Sequence, residues 1–250
     1  MNSNRLMRQN KLPCQQKGMT LIEIMIALLL GVFLLTGIIQ IFISSRETYR
    51  VQEALSRLQE NGRFAMDFIG RDIRMADYRA CPTKPFLTDP VTFDRWGITG
   101  TNGAVNAANS ALDAPDSITV RWSAVACLPA SNAFVTHGYT IAVPASGISE
   151  LQRDGNSLIE GVENMQITYG VDTDNNGTPN YYGQAGAVTN TDMGNVVSVR
   201  VSLLLYTIDN NVTPAPLAYT YNAATSTPAL PDRRIRRVFN STFTLRNRVH

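Results

Sequence analysis

Lys17-Gly18-Met19-Thr20-Leu21-Ile22-Glu23, with the apolar run that follows it, is the stretch that decides the fold of this 250-residue chain. The 22 residues from Ile24 to Ser45 contain no charged side chain. A helix of that length spans about 33 Å at roughly 1.5 Å per residue, and the hydrocarbon core of a bilayer is about 30 Å thick. The run therefore predicts one membrane-spanning helix, with a single acid, Glu23, directly before it.

Three interpretations of this stretch compete, and Glu23 helps to separate them. A cleaved secretory signal has an apolar core of about 7–15 residues, followed by a small-residue cleavage site. Here the apolar run is longer, and the small residue, Gly18, precedes it. An uncleaved signal anchor fits the length but leaves Glu23 unexplained. A carboxylate in a membrane helix costs on the order of 2.5–3.5 kcal/mol and is usually retained for function.

The third interpretation rests on the order of the motif: Lys-Gly, then Met-Thr-Leu-Ile-Glu, then a long apolar run. This order resembles the class III signal of type IV pilins. The resemblance implies that prepilin peptidase cuts between Gly18 and Met19 on the cytoplasmic side, and that the new amino group of Met19 is methylated. It also implies that Glu23 meets the α-amino group of a neighbouring subunit. The physics agrees, because a buried acid is tolerated when it is paired.

The charge distribution orients the chain in the membrane. Residues 1–18 form a leader that has four basic side chains and no acid. The basic residues are Arg5, Arg8, Lys11 and Lys17. They favour a cytoplasmic N-terminus under the positive-inside rule, so residues after Ser45 lie in the periplasm, outside the bacterial inner membrane. Without the leader, 18 basic and 20 acidic side chains remain, and net charge gives no argument for binding nucleic acid.

Cysteine usage agrees with a periplasmic location. Cys14 lies in the leader, which leaves Cys81 and Cys127 in the mature chain. An even pair in an oxidising compartment favours a disulfide between them. Two buried thiols that do not pair are the alternative, because the sequence does not give the distance between the two cysteines.

The helix is predicted to continue beyond the membrane, from about Thr20 to about Tyr78, since no proline interrupts it before Pro82. Residues 19–45 form its transmembrane half. Residues 46–80 form an amphipathic half, which lays an apolar stripe on a globular domain and covers its other faces with charge. The stripe consists of Leu55, Leu58, Ala65, Phe68, Ile69, Ile73 and Ala76.

Residues 81–250 are predicted to form a globular antiparallel β domain. Residues 82–116 are rich in Pro, Gly, Asn, Thr and Ala, and we interpret them as a loop region. Strand patterns follow, with β-branched and alternating apolar residues between short polar turns. The predicted strands are 117–126, 139–143, two apolar stretches within 158–171, 196–208 and 234–246. One long helix followed by such strands predicts an α+β fold in which an antiparallel sheet packs on the helix.

Several segments are similar to minor pilins of the PilW family. They are residues 46–65, residues 71–76 with their continuation to Cys81, residues 161–166 and residues 238–248. The resemblance implies a type IV pilin-like fold, with a long N-terminal α-helix whose first half is transmembrane, packed on an antiparallel β-sheet.

One loop is a candidate metal site. Residues 172–180, Asp-Thr-Asp-Asn-Asn-Gly-Thr-Pro-Asn, match the start of a calcium-binding loop, D-x-[DN]-x-[DN]-G. The expected calcium ligands are Asp172, Asp174, Asn176, the Thr178 carbonyl and Asn180. The twelfth position is Gly183 instead of a bidentate glutamate. A polar β-turn is the alternative, because turns use the same residue types.

Catalysis has little support in the sequence. The only histidines are His137 and His250, and no G-x-S-x-G, H-E-x-x-H or phosphate-loop motif occurs. We interpret His137 as a strand or turn residue and predict that the protein is not an enzyme. The basic cluster at residues 233–237 is interpreted as a solvated strand edge, with contact to an acidic partner as the alternative.

The resemblance implies a structural role as a minor pilin of the type IV pilus. Such a subunit waits in the inner membrane, joins a minor-pilin complex that primes the filament, and remains near the pilus tip, where cell adhesion and twitching motility depend on it. The implied partners are other minor pilins, the major pilin and a tip adhesin, with prepilin peptidase as the processing enzyme. A type II secretion pseudopilin, which uses the same signal, is one alternative. A signal-anchored periplasmic enzyme or binding protein, left uncut at Gly18, is the other.

Overall fold

A computed structural model describes most of the chain and shows one long helix. The described residues are 18–78, 97–103, 113–123, 134–188, 192–221, 224–226 and 232–249. The helix, α1, spans Leu21–Met75, close to the predicted ends at Thr20 and Tyr78. The chain separates into two compact units, Met1–Thr48 and Tyr49–His250, and α1 contributes residues to both.

The first unit contains the apolar half of α1. Its side chains are exposed almost throughout, so a strongly apolar surface covers this half of the helix. Gly31 and Gly37 do not interrupt the helix. The Thr36 hydroxyl donates to the Val32 carbonyl at 2.8 Å, which satisfies it within the helix, as apolar surroundings require. Within the described part of the chain, α1 alone is long and apolar enough to cross a membrane.

In the second unit, α1 buries one face and exposes the other. The buried residues recur at spacings close to the predicted three and four. They are Leu58, Gly62, Ala65, Ile69, Gly70, Asp72 and Ile73. The opposite face carries ion pairs between residues four apart, Glu53–Arg57 at 2.7 Å and Asp67–Arg71 at 3.1 Å. Such exposed pairs contribute about 0.2–1 kcal/mol each, so the buried stripe is the main attachment of the helix.

The described part of the second unit contains eleven strands in three sheets. The strands are β1 (Ile98–Thr101), β2 (Ser117–Ser123), β3 (Phe134–Ala142), β4 (Glu150–Arg153), β5 (Asn156–Glu160), β6 (Val162–Val171), β7 (Tyr181–Gly183), β8 (Val196–Tyr206), β9 (Tyr219–Tyr221), β10 (Ala224–Ser226) and β11 (Arg236–Thr244). A five-stranded sheet has the order β1-β2-β3-β4-β5, and a four-stranded sheet has the order β11-β8-β6-β7. β9 pairs with β10. Every pairing between these strands is antiparallel.

The structure confirms the predicted α+β class and its longer strands, but it divides the predicted sheet. Strands β2, β3, β5, β6, β8 and β11 lie where strand patterns were predicted. Strands β1, β4, β7, β9 and β10 were not predicted, and β1 falls inside the supposed loop region 82–116. The missed strands have three or four residues each, which is too short for an alternating pattern to stand out.

The core of the second unit joins α1 to the sheets in one cluster of buried residues. β8 supplies alternating Val199, Val201 and Leu203, all fully buried. Two helix glycines admit aromatic rings from β11. A Cβ atom at Gly62 would overlap the ring of Phe239, and one at Gly70 would overlap the ring of Phe243. The close contact between α1 and β11 therefore depends on glycine at both positions.

Candidate assembly site

The predicted cleavage junction lies in exposed backbone just before α1. Gly18, Met19 and Thr20 are non-helical, and Met19 is 72% exposed. The backbone N–H groups of Glu23 and Ile24, in the first turn of α1, donate to the Thr20 carbonyl at 3.1 and 3.3 Å. Exposed backbone outside regular structure is where proteases cut most readily. The geometry therefore suits cleavage between Gly18 and Met19.

Glu23 is the acid in the first turn of α1. A carboxylate there is favoured by the positive end of the helix dipole, typically by about 0.3–1 kcal/mol. Cleavage after Gly18 would create an ammonium group on Met19, four residues earlier in the chain. Each chain would then carry one cation and one anion at the same end of an apolar helix. Such a chain can form two amine–carboxylate pairs with its neighbours, one through the Met19 amine and one through the Glu23 carboxylate.

A buried polar triad holds α1 on the five-stranded sheet. The Asp72 carboxylate, 5% exposed, accepts a hydrogen bond from the Tyr139 hydroxyl at 2.6 Å. It also accepts from Nε and Nη2 of Arg153 at 3.0 and 2.8 Å. Burial and the adjacent Asp72 carboxylate raise the pKa of Tyr139 above its ordinary value, so the phenol stays a donor. We did not predict the triad, because Asp72 fits the charged pattern of the helix as well as its buried stripe.

The C-terminal segment closes the end of α1. The side-chain amide of Asn247 donates to the carbonyl of Ala76 at 2.9 Å, just past the last helical residue. Nε of Arg248 donates to Asp77 at 3.0 Å, and its Nη1 donates to the Met193 carbonyl at 2.7 Å. Helix C-termini leave carbonyl groups without partners, and the side-chain amide of Asn247 supplies a donor there. Asn247 and Arg248, in the segment 238–248 that is similar to minor pilins, therefore have a structural role at the end of α1.

The candidate calcium loop folds around hydrogen bonds of its own. The Asp172 carboxylate accepts from the backbone N–H groups of Asp174, Asn176 and Gly177 at 3.2, 3.3 and 2.6 Å. The side-chain oxygen of Asn176 accepts from the N–H of Thr178 at 2.8 Å and from its hydroxyl. Gly177 has a φ of 82°, a left-handed conformation that glycine adopts without strain. The loop is an ordered polar turn.

Three of the expected calcium ligands, Asp172, Asn176 and Asn180, accept hydrogen bonds within the loop. Oδ1 of Asn180, the last expected ligand, accepts from the Thr173 N–H at 2.6 Å. Desolvation opposes ionisation of Asp172, but the Gly177 and Asn176 N–H groups hold its pKa below the ordinary value. The described residues contain no group of three or more His, Cys, Asp or Glu side chains able to hold a metal ion. The geometry fits the polar turn, and calcium binding stays a prediction.

The basic cluster at residues 233–237 differs from the solvated edge that we expected. The side chain of Arg236 is only 5% exposed and lies between two acids. It donates to Glu163 at 2.6 and 3.0 Å and to Asp232 at 2.8 and 2.7 Å. The hydrogen bonds from Arg236 hold the pKa of Asp232 below its ordinary value. The interpretation was therefore wrong for Arg236, which is part of a buried ion-pair network.

The remaining sequence predictions have separate outcomes. His137 lies in β3, as predicted, and its Nδ1 is 2.6 Å from Oδ2 of Asp154. The proposed disulfide partners Cys81 and Cys127 lie outside the described residues. The pairing of these cysteines therefore stays a prediction.

Comparison with known proteins bears on both ends of the chain. Residues 133–247 match the family model of the type IV pilus-assembly protein W, and residues 14–39 match the prokaryotic N-terminal methylation motif. These matches confirm the resemblance inferred from the sequence. Comparison with curated proteins finds no match. Among solved structures, the chain is similar to a type IV-like pilin from Thermus thermophilus, with 15% identity and a TM-score of 0.47 over 78% of this chain and 98% of the other.

Proposed function

We infer that this chain, a type IV pilin-like protein with a PilW-type region, is a minor pilin that helps to start assembly of the type IV pilus. The observation that carries the inference is the exposed Gly18/Met19 junction, followed by Glu23 and an exposed apolar helix, in a chain whose C-terminal half matches a pilus-assembly family. The globular unit would be periplasmic, and the subunit would wait in the inner membrane before it enters the filament.

The proposed mechanism uses two groups at the start of α1. Prepilin peptidase removes residues 1–18, and Met19 becomes the methylated N-terminus. In the filament, the apolar halves of neighbouring helices pack together, and the carboxylate of Glu23 is neutralised by the Met19 amine of another subunit. Pairing offsets the cost of placing an acid among apolar helices, which is on the order of 2.5–3.5 kcal/mol.

The partners follow from the same role. The chain would join other minor pilins and a tip adhesin in a complex that primes the filament, and the major pilin would then be added beneath it. The protein would act through packing rather than catalysis, in agreement with a pilin-like family. Its place in the pilus would be near the tip, where adhesion and twitching motility depend on it.

Mass spectrometry of the mature N-terminus tests the proposed processing. We expect an N-methylated Met19 in cells that contain prepilin peptidase, and an intact leader when Gly18→Val blocks the site. A purified chain that still begins at Met1 in those cells would refute the assignment and favour a signal-anchored periplasmic protein.

Deletion of the gene tests the role in assembly. We expect few surface pili, and restoration by the wild-type chain but not by Glu23→Gln. Glu47→Gln is the matched control, because Glu47 is another exposed acid of α1 beyond the apolar run. Normal pili together with defective protein secretion would instead identify a type II secretion pseudopilin.

A further inference from the structure

A groove on the second unit combines an apolar floor with an exposed aromatic side chain. The groove encloses about 530 Å³ between α1, β5 and the residues after β8. Its apolar lining includes Phe64, Phe68, Leu158, Ile159 and Ile208. Phe64 is 49% exposed, whereas Phe68 packs partly against the core. An exposed aromatic ring in a concave apolar surface is a typical anchor point for a protein partner.

The charge pattern of α1 makes Phe64 stand out. Two exposed ion pairs, two heptads apart, flank it on the helix. They are Glu53–Arg57 and Asp67–Arg71. In the intervening heptad the acid is present as Glu60, but the position four residues later is Phe64 instead of an arginine. Among the described residues, Glu60 therefore forms no ion pair, although its equivalents do.

The rim of the groove is acidic. Glu60 and Glu160 both line it and are both exposed. The side-chain amide of Asn61 donates to the backbone carbonyl of Glu160 at 3.3 Å, which leaves the Glu160 carboxylate available. The basic residue at the rim, Arg57, is already engaged by Glu53. The groove therefore presents apolar surface beside two exposed carboxylates that form no ion pair within the described part of the chain.

We propose that this Phe64 groove docks another pilus subunit through an apolar side chain that Lys or Arg flanks in the partner sequence. The apolar side chain fills the space beside Phe64, and the flanking cation pairs with Glu60 and Glu160. An acidic segment is excluded, because like charges at a rim oppose association. The proposal rests on the proposed function, since it specifies the chemistry of one neighbour in the complex.

In-cell photo-crosslinking of the full-length chain tests the proposal. The probe is p-benzoyl-phenylalanine at residue 64, and the matched control is the same probe at residue 49, where Tyr49 is 68% exposed on α1 and does not line the groove. We expect an adduct with a pilin-like subunit at position 64 in about tenfold higher yield than at position 49, since binding energy concentrates at central apolar anchors. Mass spectrometry of the adduct should show Lys or Arg within two residues of the crosslinked apolar side chain.

Charge reversal then tests the rim. Glu60→Arg should lower the yield about fivefold, and reversal of the partner's flanking cation to Glu should restore it. Glu160→Arg is a second variant if Glu60→Arg lowers the melting temperature of the detergent-solubilised chain. The proposal would be overturned by a crosslink within one molecule, by a crosslink to a second copy of this protein, or by a partner peptide that has no Lys or Arg beside the crosslinked residue. A yield at residue 64 no higher than at residue 49, or insensitive to both reversals, would also overturn it.

The same strains separate this proposal from the proposed function. If the probe at residue 64 gives the expected crosslink, but deletion of the gene leaves the pili intact, the docking proposal stands and the pilus role is refuted. If deletion of the gene removes the pili, but strains with changes at the groove make normal pili and give no adduct, the pilus role stands and the docking proposal is refuted.

Discussion

Removal of the Asp72 carboxylate should destabilise the globular unit far more than removal of an exposed acid from the same helix. Asp72 is the buried acceptor for both Tyr139 and Arg153, which belong to the five-stranded sheet. Asp67 lies five residues earlier and pairs with Arg71, but both of those side chains are more than half exposed. Asp72→Ala and Asp67→Ala gain the same helix propensity, so the difference between them isolates the buried contact.

The magnitude follows from the geometry. Removal of one partner from a fully buried ion pair costs about 3–5 kcal/mol. The Arg153 side chain is 30% exposed, so water will replace part of what it loses. The Tyr139 hydroxyl, in a fully buried residue, would lose its acceptor at a cost of about 1–3 kcal/mol. We expect the free energy of unfolding to fall by about 3 kcal/mol, or about 6–12 °C in Tm at 2–4 °C per kcal/mol.

Denaturant titration of the detergent-solubilised full-length chain, followed by near-ultraviolet circular dichroism, measures this difference. Asp67→Ala should change the free energy of unfolding by less than about 1 kcal/mol. Tyr139→Phe, which removes the donor along with its need for an acceptor, should cost about 1 kcal/mol. If Asp72→Ala and Asp67→Ala unfold at the same denaturant concentration, the triad does not hold α1 on the sheet and the reasoning fails.

Three other predictions concern packing, pH and calcium. Gly70→Ala should lower the free energy of unfolding by about 1–3 kcal/mol because its Cβ would overlap the Phe243 ring, and adding Phe243→Leu should recover part of the loss. The contact between Asp232 and Arg236 should contribute fully to the free energy of unfolding above about pH 4, and this contribution should be lost as the pH falls further, because hydrogen bonds from Arg236 hold the pKa of Asp232 below its unfolded value. Arg236→Gln should therefore flatten the acid side of a plot of unfolding free energy against pH. If the loop binds calcium as the sequence predicts, millimolar calcium should raise Tm in a thermal melt and Asp174→Ala should abolish the rise, whereas a shift below about 1 °C would identify the loop as a polar turn alone.

Much of the fold follows from local sequence pattern. The long helix is readable because one apolar run joins one amphipathic stripe without a proline, and β8 is readable because eleven consecutive residues are mostly β-branched or apolar. Short strands such as β1 owe their conformation to the strands beside them, as in the antiparallel pairing of Ile98 with Val120. Their own three or four side chains carry too little pattern to reveal it.

The candidate assembly site divides in the same way. The junction at Gly18 and the acid at Glu23 are local features, so the sequence suffices to propose them. The triad is not local, since Asp72 is separated from Tyr139 by 67 residues and from Arg153 by 81. Burial of Arg236 likewise depends on Glu163, 73 residues away, which a basic run by itself does not indicate. Long-range partners of this kind require the tertiary structure.

The glycines of α1 show how two distant segments constrain each other. Gly62 and Gly70 are eight residues apart, which corresponds to about 12 Å along a helix. Phe239 and Phe243 are four residues apart on one face of β11, which corresponds to about 13 Å along a strand. The two distances match, so successive rings meet successive glycines. A change at one of these positions therefore requires a compensating change in the other segment, whereas Gly31 and Gly37, with nothing near their Cβ positions, carry no such constraint within this chain.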